Sequence, residues 1–146
     1  FKMITIIISK HISYFLSVKC IIFIAIIALD VFIHDPDLGY NVSNWAEIDY
    51  AFICVPTNLK DGTLDTSIID NILSELYIGV QPIIRSTIGP DQAIQYANRG
   101  LIIMPEFLRE KHWKEDVDNE HIDLFCFNTK ILVNDAIKII AHLKEC

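Results

Sequence analysis

The chain has 146 residues, 52% of them hydrophobic, and a formal net charge of -7. That supplies enough apolar side chain for one domain with its own core, and it excludes a nucleic-acid backbone as partner, because no basic patch exists to displace counterions. The four cysteines, Cys20, Cys54, Cys126 and Cys146, lie far apart with no C-x-x-C pair, which supports neither a zinc site nor a disulfide framework and fits a reducing cytoplasm.

Residues 3–8 (MITIII) form a short continuous β-branched run, as a strand buried on both faces reads. Residues 11 to about 26 have the length of a helix, and residues 29–34 (LDVFIH) read as a second strand stopped by the turn signal Asp35-Pro36-Asp37. Residues 15–33 are mostly apolar, but Lys19 and Asp30 interrupt them. Each charge costs roughly 2.5–3.5 kcal/mol at the centre of a spanning helix. The uninterrupted stretch, residues 20–29, is only ten residues, against the ~20 that a span needs. The expectation is a buried helix running into a buried strand, with a membrane segment as the lesser alternative.

Asn41-Val42-Ser43 matches a glycosylation acceptor, but in a cytoplasmic protein Ser43 or Asn44 is the better reading as a cap for one or two helical turns within residues 43–49. Residues 50–55 (YAFICV) are a third strand, ended by Pro56, and residues 58–63 contain the loop Lys60-Asp61-Gly62. Asp65 can cap a helix in which Ile68, Ile69, Ile72, Leu73 and Leu76 recur at helical spacing, with Gly79 as its stop. Residues 80–85 give a strand, Gly89-Pro90-Asp91 opens a helix to about Asn98, and residues 101–104 give another strand. A further strand is expected over residues 124–127, and a last helix within 129–144.

Strand and helix thus alternate about six times, the pattern of a single α/β domain with a mostly parallel sheet and helices on both faces. Such sheets bind ligands beyond the carboxyl ends of their strands. The polar residues that follow the strands are Asp35, Thr57, Ser86, Thr87 and Glu106; all are expected along one rim. A dinucleotide site usually opens with G-x-G-x-x-G after the first strand, so that pyrophosphate can approach the backbone at a helix N-terminus. Here the three positions are Ile8, Lys10 and Ser13. None is glycine, and a side chain at the second fills space that pyrophosphate needs. An acid does follow the second strand, Asp35, where such a domain holds a ribose hydroxyl; a solvated turn is the equal alternative.

Four blocks, ICVPT (53–57), DGTLDTSIID (61–70), RSTIGP (85–90) and PEFLRE (105–110), stand in an order and rough spacing that resemble the N-terminal NAD-binding, Rossmann-like domain of the UDP-glucose/GDP-mannose dehydrogenase family. The likeness covers about residues 50–110; residues 1–49 match by strand pattern and 111–146 weakly. The resemblance implies NAD-dependent oxidation of a nucleotide sugar, through two hydride transfers and a covalent cysteine adduct. It implies that Asp35, Thr57, Ser86 and Thr87 border the cofactor, that Thr87 also places a catalytic water, and that Glu106 handles protons in thioester hydrolysis. Phe107, Leu108 and Arg109 would contact the nucleotide sugar, and Glu110 would lie between cofactor and substrate. Read without the resemblance, Thr57 only ends a strand, Ser86 and Thr87 cap a helix, and Glu106, Arg109 and Glu110 make a solvated face.

The departures are equally specific. No G-G-x-C stretch, where the family keeps its nucleophile, occurs in these residues, and the family's later general-base lysine and aspartate, central helix and C-terminal substrate domain have no counterpart. Lys111 stands where the family has glycine, and Met104 where asparagine is common. Only 14 residues separate Asp35 from Tyr50, room for one short crossover. Three accounts fit: an enzyme completed by a second chain that supplies the cysteine domain, a module that retains a nucleotide or nucleotide-sugar cleft, and an inactive regulatory relative that pairs with a full-length one.

Overall fold

The computed structural model describes residues 4–8 and 31–105. Five strands form one parallel sheet: β1 (Ile4–Ile8), β2 (Val31–His34), β3 (Tyr50–Cys54), β6 (Gln81–Ile84) and β7 (Ile102–Ile103), in the order β2-β1-β3-β6-β7. The register is continuous: Ile4 sits opposite both Val31 and Tyr50, and Ile53 opposite Ile84, which is followed by Ile103 across β7. Between β3 and β6 a small antiparallel hairpin, β4 (Leu59–Lys60) with β5 (Thr63–Leu64), replaces the expected plain loop. Its turn needs Asp61 and Gly62 both at positive φ, 50° and 82°, which an Asp-Gly pair tolerates.

β3, β6 and β7 are buried on both faces. Alternation along β3 sends Ala51, Ile53 and Val55 into one cluster with Ile84 and Ile103, while Tyr50, Phe52 and Cys54, buried as well, project from the opposite face with Ile83, Ile102 and Met104. An α/β domain with cover on both sides of a parallel sheet explains why these strands read as unbroken apolar runs. The helix expected at residues 11–26, the strand at 124–127 and the helix within 129–144 lie outside the described residues.

Two helices cover the first face. α1 (Ser67–Glu75) presents Ile69, fully buried, with Ile68, Ile72 and Leu73 to the cluster; α2 (Pro90–Asn98) presents Tyr96 and Ala97. Right-handed crossovers place both on the same side, since β3, β6 and β7 succeed one another in one direction. The cap of α1 is Thr66, not the expected Asp65, which sits one residue earlier and still serves the helix start, its Oδ1 accepting the Ser67 N–H at 2.9 Å. α1 ends at Leu76, well before Gly79; that glycine (φ +111°) serves the turn in which Val80 N–H reaches Tyr77 O. At α2, Pro90 takes the first helical position, where a missing N–H costs nothing. The Gln92 side chain accepts the Gly89 N–H at 2.9 Å and donates to Leu64 O at 2.8 Å, fixing the β4–β5 hairpin to the start of α2. Arg99 pairs with Asp70 at 3.1 Å between the two helices, an exposed contact worth under about 1 kcal/mol.

The crossover from β2 to β3 is compressed. Residues 35–49 hold two 3₁₀ turns, Pro36–Leu38 and Trp45–Glu47, with no α-helix. Asn44 caps the second turn by accepting the Ala46 N–H. Val42 and Trp45 take the covering role of a helix and pack against the cluster. His34 pins this crossover: its Nδ1 accepts the Val42 N–H at 3.4 Å and its ring meets Trp45 edge-on, centroids 5.1 Å apart. Burial depresses the His34 pKa below its ordinary 6.5, against opposing pulls from Asp35 and Glu75.

Two outcomes follow. Ile53→Ala, at a position with no exposed surface, lowers unfolding free energy by about 2–5 kcal/mol in a denaturant titration. The depressed His34 pKa means that the unfolded chain binds the proton first as pH falls below 6.5, so this residue's contribution to stability is present above that pH and is lost below it. The denaturation midpoint should fall between about pH 7.5 and pH 5, and His34→Gln, which keeps an acceptor but does not titrate, should flatten part of that fall.

Candidate functional site

β1 pairs with β2 on one side and β3 on the other. The chain leaves β1 toward β2, then crosses back and proceeds through β3, β6 and β7 in the opposite direction. Connections therefore diverge at the carboxyl ends of β1 and β3, opening the crevice in which sheets of this type bind ligands. The residues on this rim are His34 and Asp35 after β2, Val55 to Thr57 after β3, Arg85 to Thr87 after β6, and Met104 and Pro105 after β7.

The loops after β3 and β6 are stitched together. Ile53 O accepts the Arg85 N–H at 3.0 Å and the Ser86 N–H at 3.2 Å. The Ser86 hydroxyl accepts the Val55 N–H at 2.9 Å and lies 3.3 Å from Ile53 O as donor. Ser86 is buried, and its hydroxyl is committed to extending the β3–β6 pairing past the last ladder residues. One step further out, the Thr57 hydroxyl donates to Thr87 O at 2.5 Å. A hydroxyl that donates its only proton to a carbonyl keeps lone pairs for an incoming N–H or water. Thr87 itself is exposed.

Asp35 is the unusual group. It is 3% exposed, and its Oδ1 is buried without a hydrogen-bond partner among the described residues. Leaving such an oxygen unsatisfied costs at least about 1–3 kcal/mol, more for a charged group. Its backbone is fully used: Asp35 N–H donates to Tyr40 O at 2.8 Å, and Asp35 O accepts from Tyr40 and Leu38 at 3.0 and 3.1 Å. Pro36 and Gly39 (φ +82°) shape the short loop between the paired residues.

Of the residues singled out from sequence, Thr57, Ser86 and Thr87 come together on the β3–β6 rim, and Asp35 lies beyond β1 at the end of β2. Glu106, Phe107, Leu108, Arg109 and Glu110 lie outside the described residues, as do Lys10 and Ser13; Ile8 is the last residue of β1. Sequence reasoning passed over Arg85, a cation only 8% exposed on the rim, and Tyr40. Arg85 was signalled by its position directly after an apolar strand. Tyr40 carried no local signal, because its pairing to Asp35 depends on the closed loop. Among the described residues no cluster of His, Cys, Asp and Glu suits a metal ion, and no helix is long and apolar enough to cross a membrane.

No protein-family model and no curated protein sequence matches the chain. Among solved structures, its fold is similar to that of GDP-mannose dehydrogenase from Pseudomonas aeruginosa, crystallised at 1.55 Å as a ternary complex, with a TM-score of 0.69 and 18% sequence identity over 92% of this chain. The chain spans 43% of that protein's chain. The likeness is one of fold, and it makes this a Rossmann-like α/β domain.

Proposed function

We propose that this chain is a nucleotide-binding domain of the nucleotide-sugar dehydrogenase type, and that it holds NAD by its adenosine end along the rim at β1 and β3. The observation that carries this reading is the buried, unpartnered Oδ1 of Asp35 at the end of β2, an acceptor in search of a donor such as a ribose hydroxyl. No lysine or arginine occurs from residue 35 to residue 59, so this crossover would offer a 2′-phosphate no counter-charge, which favours NAD over NADP. The order of blocks from ICVPT to PEFLRE supports the same descent.

When bound, NAD takes up hydride from the alcohol carbon of a substrate. The residues of this chain would bind and orient. Asp35 would accept the ribose hydroxyls, and the Thr57 lone pairs would offer an acceptor to the other half of the cofactor. Ser86 would act by holding the loop that carries Thr57 and Thr87 in place. Thr87 would orient a water; Glu106 and Glu110 would serve proton transfer, and Phe107, Leu108 and Arg109 would contact a UDP- or GDP-sugar. These residues contain no G-G-x-C stretch, so the cysteine chemistry of such a reaction would have to come from outside them, in the cytoplasm.

A second reading is favoured by Ile8, Lys10 and Ser13. Without the glycines the pyrophosphate end loses its close backbone approach, which suits a binding or regulatory module without catalysis. Both readings share the adenosine end, and titration calorimetry with AMP and with NAD tests it. The expected result is that AMP and NAD bind with affinities within about threefold, since the rest of the dinucleotide adds little. Asp35→Asn should weaken both by roughly tenfold, the loss of one charge-assisted hydrogen bond. If neither nucleotide binds the unsubstituted chain, the proposal fails. The chain alone is expected to produce no NADH with UDP-glucose or GDP-mannose; turnover would remove the regulatory reading.

A further inference from the structure

Asp35 and Tyr40 form an isolated antiparallel bridge in which each backbone both donates to and accepts from the other. Residues directly opposed in such a pair send their side chains to the same face of the ribbon, with Cβ atoms about 4.5–5.5 Å apart. The backbone therefore starts the Tyr40 side chain beside that of Asp35, on the same face of the ribbon. Their exposures are opposite. Asp35 is 3% exposed, whereas Tyr40 is 56% exposed. A single exposed tyrosine is ordinary on a protein surface. This one is fixed beside an acid that lacks a partner, on a loop whose freedom is already removed. Pro36 fixes one φ, Gly39 takes the left-handed region, and two further N–H groups, of Leu38 and Gly39, are bonded inside the loop. Leu38, 59% exposed, widens the apolar surface on the same six residues.

We infer that Tyr40 is the stacking platform for the base of the nucleotide whose ribose Asp35 holds. This rests on the adenosine-end reading above and adds to it a base-contacting residue. In a nucleoside the base is attached at C1′, next to the 2′-hydroxyl, so a carboxylate that grips the ribose hydroxyls leaves the base within one side chain's reach. An aromatic ring there meets the π-face of the base and excludes water from it. Stacking makes no demand on the hydrogen-bonding edge of the base, so the platform supplies affinity with little discrimination between bases. The bonded loop lowers the ordering cost of binding, because the backbone that carries the ring is already held.

The test compares AMP binding to the unsubstituted chain, Tyr40→Ala and Tyr40→Phe, by calorimetry and by NMR. Tyr40→Ala should weaken AMP by roughly tenfold, the scale of one lost base–aromatic stack, while Tyr40→Phe stays within about twofold, because the ring and not the hydroxyl does the binding. Intermolecular NOEs from adenine H2 and H8 to aromatic ring protons should appear in the unsubstituted chain and vanish in Tyr40→Ala. Unchanged affinity in Tyr40→Ala, or AMP bound without those NOEs, overturns the inference and leaves the Asp35 reading standing. A Tyr40→Phe variant as weak as Tyr40→Ala overturns it too. No AMP binding to the unsubstituted chain overturns both.

Discussion

The pairing of β1 with two parallel neighbours is the constraint from which the remainder follows. Because Ile4 stands opposite both Val31 and Tyr50, β2 and β3 run alongside β1 in the same direction, and their carboxyl ends reach one rim. Parallel neighbours cannot be joined by tight turns, so every connection has to travel back along a face of the sheet. The connection from β2 must also pass over β1 to reach β3. This single reversal separates Asp35 from Thr57 by one strand, the spacing across which an extended dinucleotide can be laid.

On that rim the polar groups divide by how far they project. Ser86 and the backbone of Arg85 are absorbed by Ile53 O and the Val55 N–H, prolonging the β3–β6 contact beyond the ladder. Thr57 and Thr87 meet one residue further out, where the Thr87 carbonyl takes the threonine proton and leaves lone pairs facing outward. Proximity to a functional edge therefore does not by itself give a side chain a ligand. The inner hydroxyl of this strand-end pair satisfies buried backbone, and the outer one donates to a carbonyl and keeps its lone pairs. Asp35 breaks the pattern: it is as buried as Ser86, yet its Oδ1 has nothing to satisfy it.

Much of this was legible in the residues, for reasons that differ along the chain. The strands could be read because β3, β6 and β7 are covered on both faces, so that burial selects apolar residues at consecutive positions. Asp65 and Gly89-Pro90 could be read because capping is a matter of a few adjacent residues. The end of α1 could not, since Leu76 already turns to extended backbone (ψ 136°) while Gly79 (φ +111°) is used for a separate turn. The β4–β5 hairpin was hidden because its anchor, Gln92 to Leu64, spans 28 residues. Asp35 could be placed at a strand end from sequence, but its unsatisfied oxygen and its pairing to Tyr40 exist only after the loop closes. The PEFLRE block has no structural account beyond Pro105, so Glu106 stays a reading of sequence.

The two ends of the proposed site carry different histories. At the adenosine end, the acid, the preformed loop and the lack of lysine or arginine within residues 35–59 agree with one another. At the pyrophosphate end, Ile8, Lys10 and Ser13 replace residues whose value lay in having no side chain. In the proposed site, a side chain at such positions would take up volume through which the phosphates pass. On the reading proposed above, loss of this kind would remove affinity for the dinucleotide and leave the ribose grip, because a backbone bridge to Tyr40 positions Asp35. Such a domain would keep a mononucleotide site. The crossover of residues 35–49, short and pinned by His34 to Val42 and Trp45, would then decide whether that site persists, since it holds Asp35 at the rim.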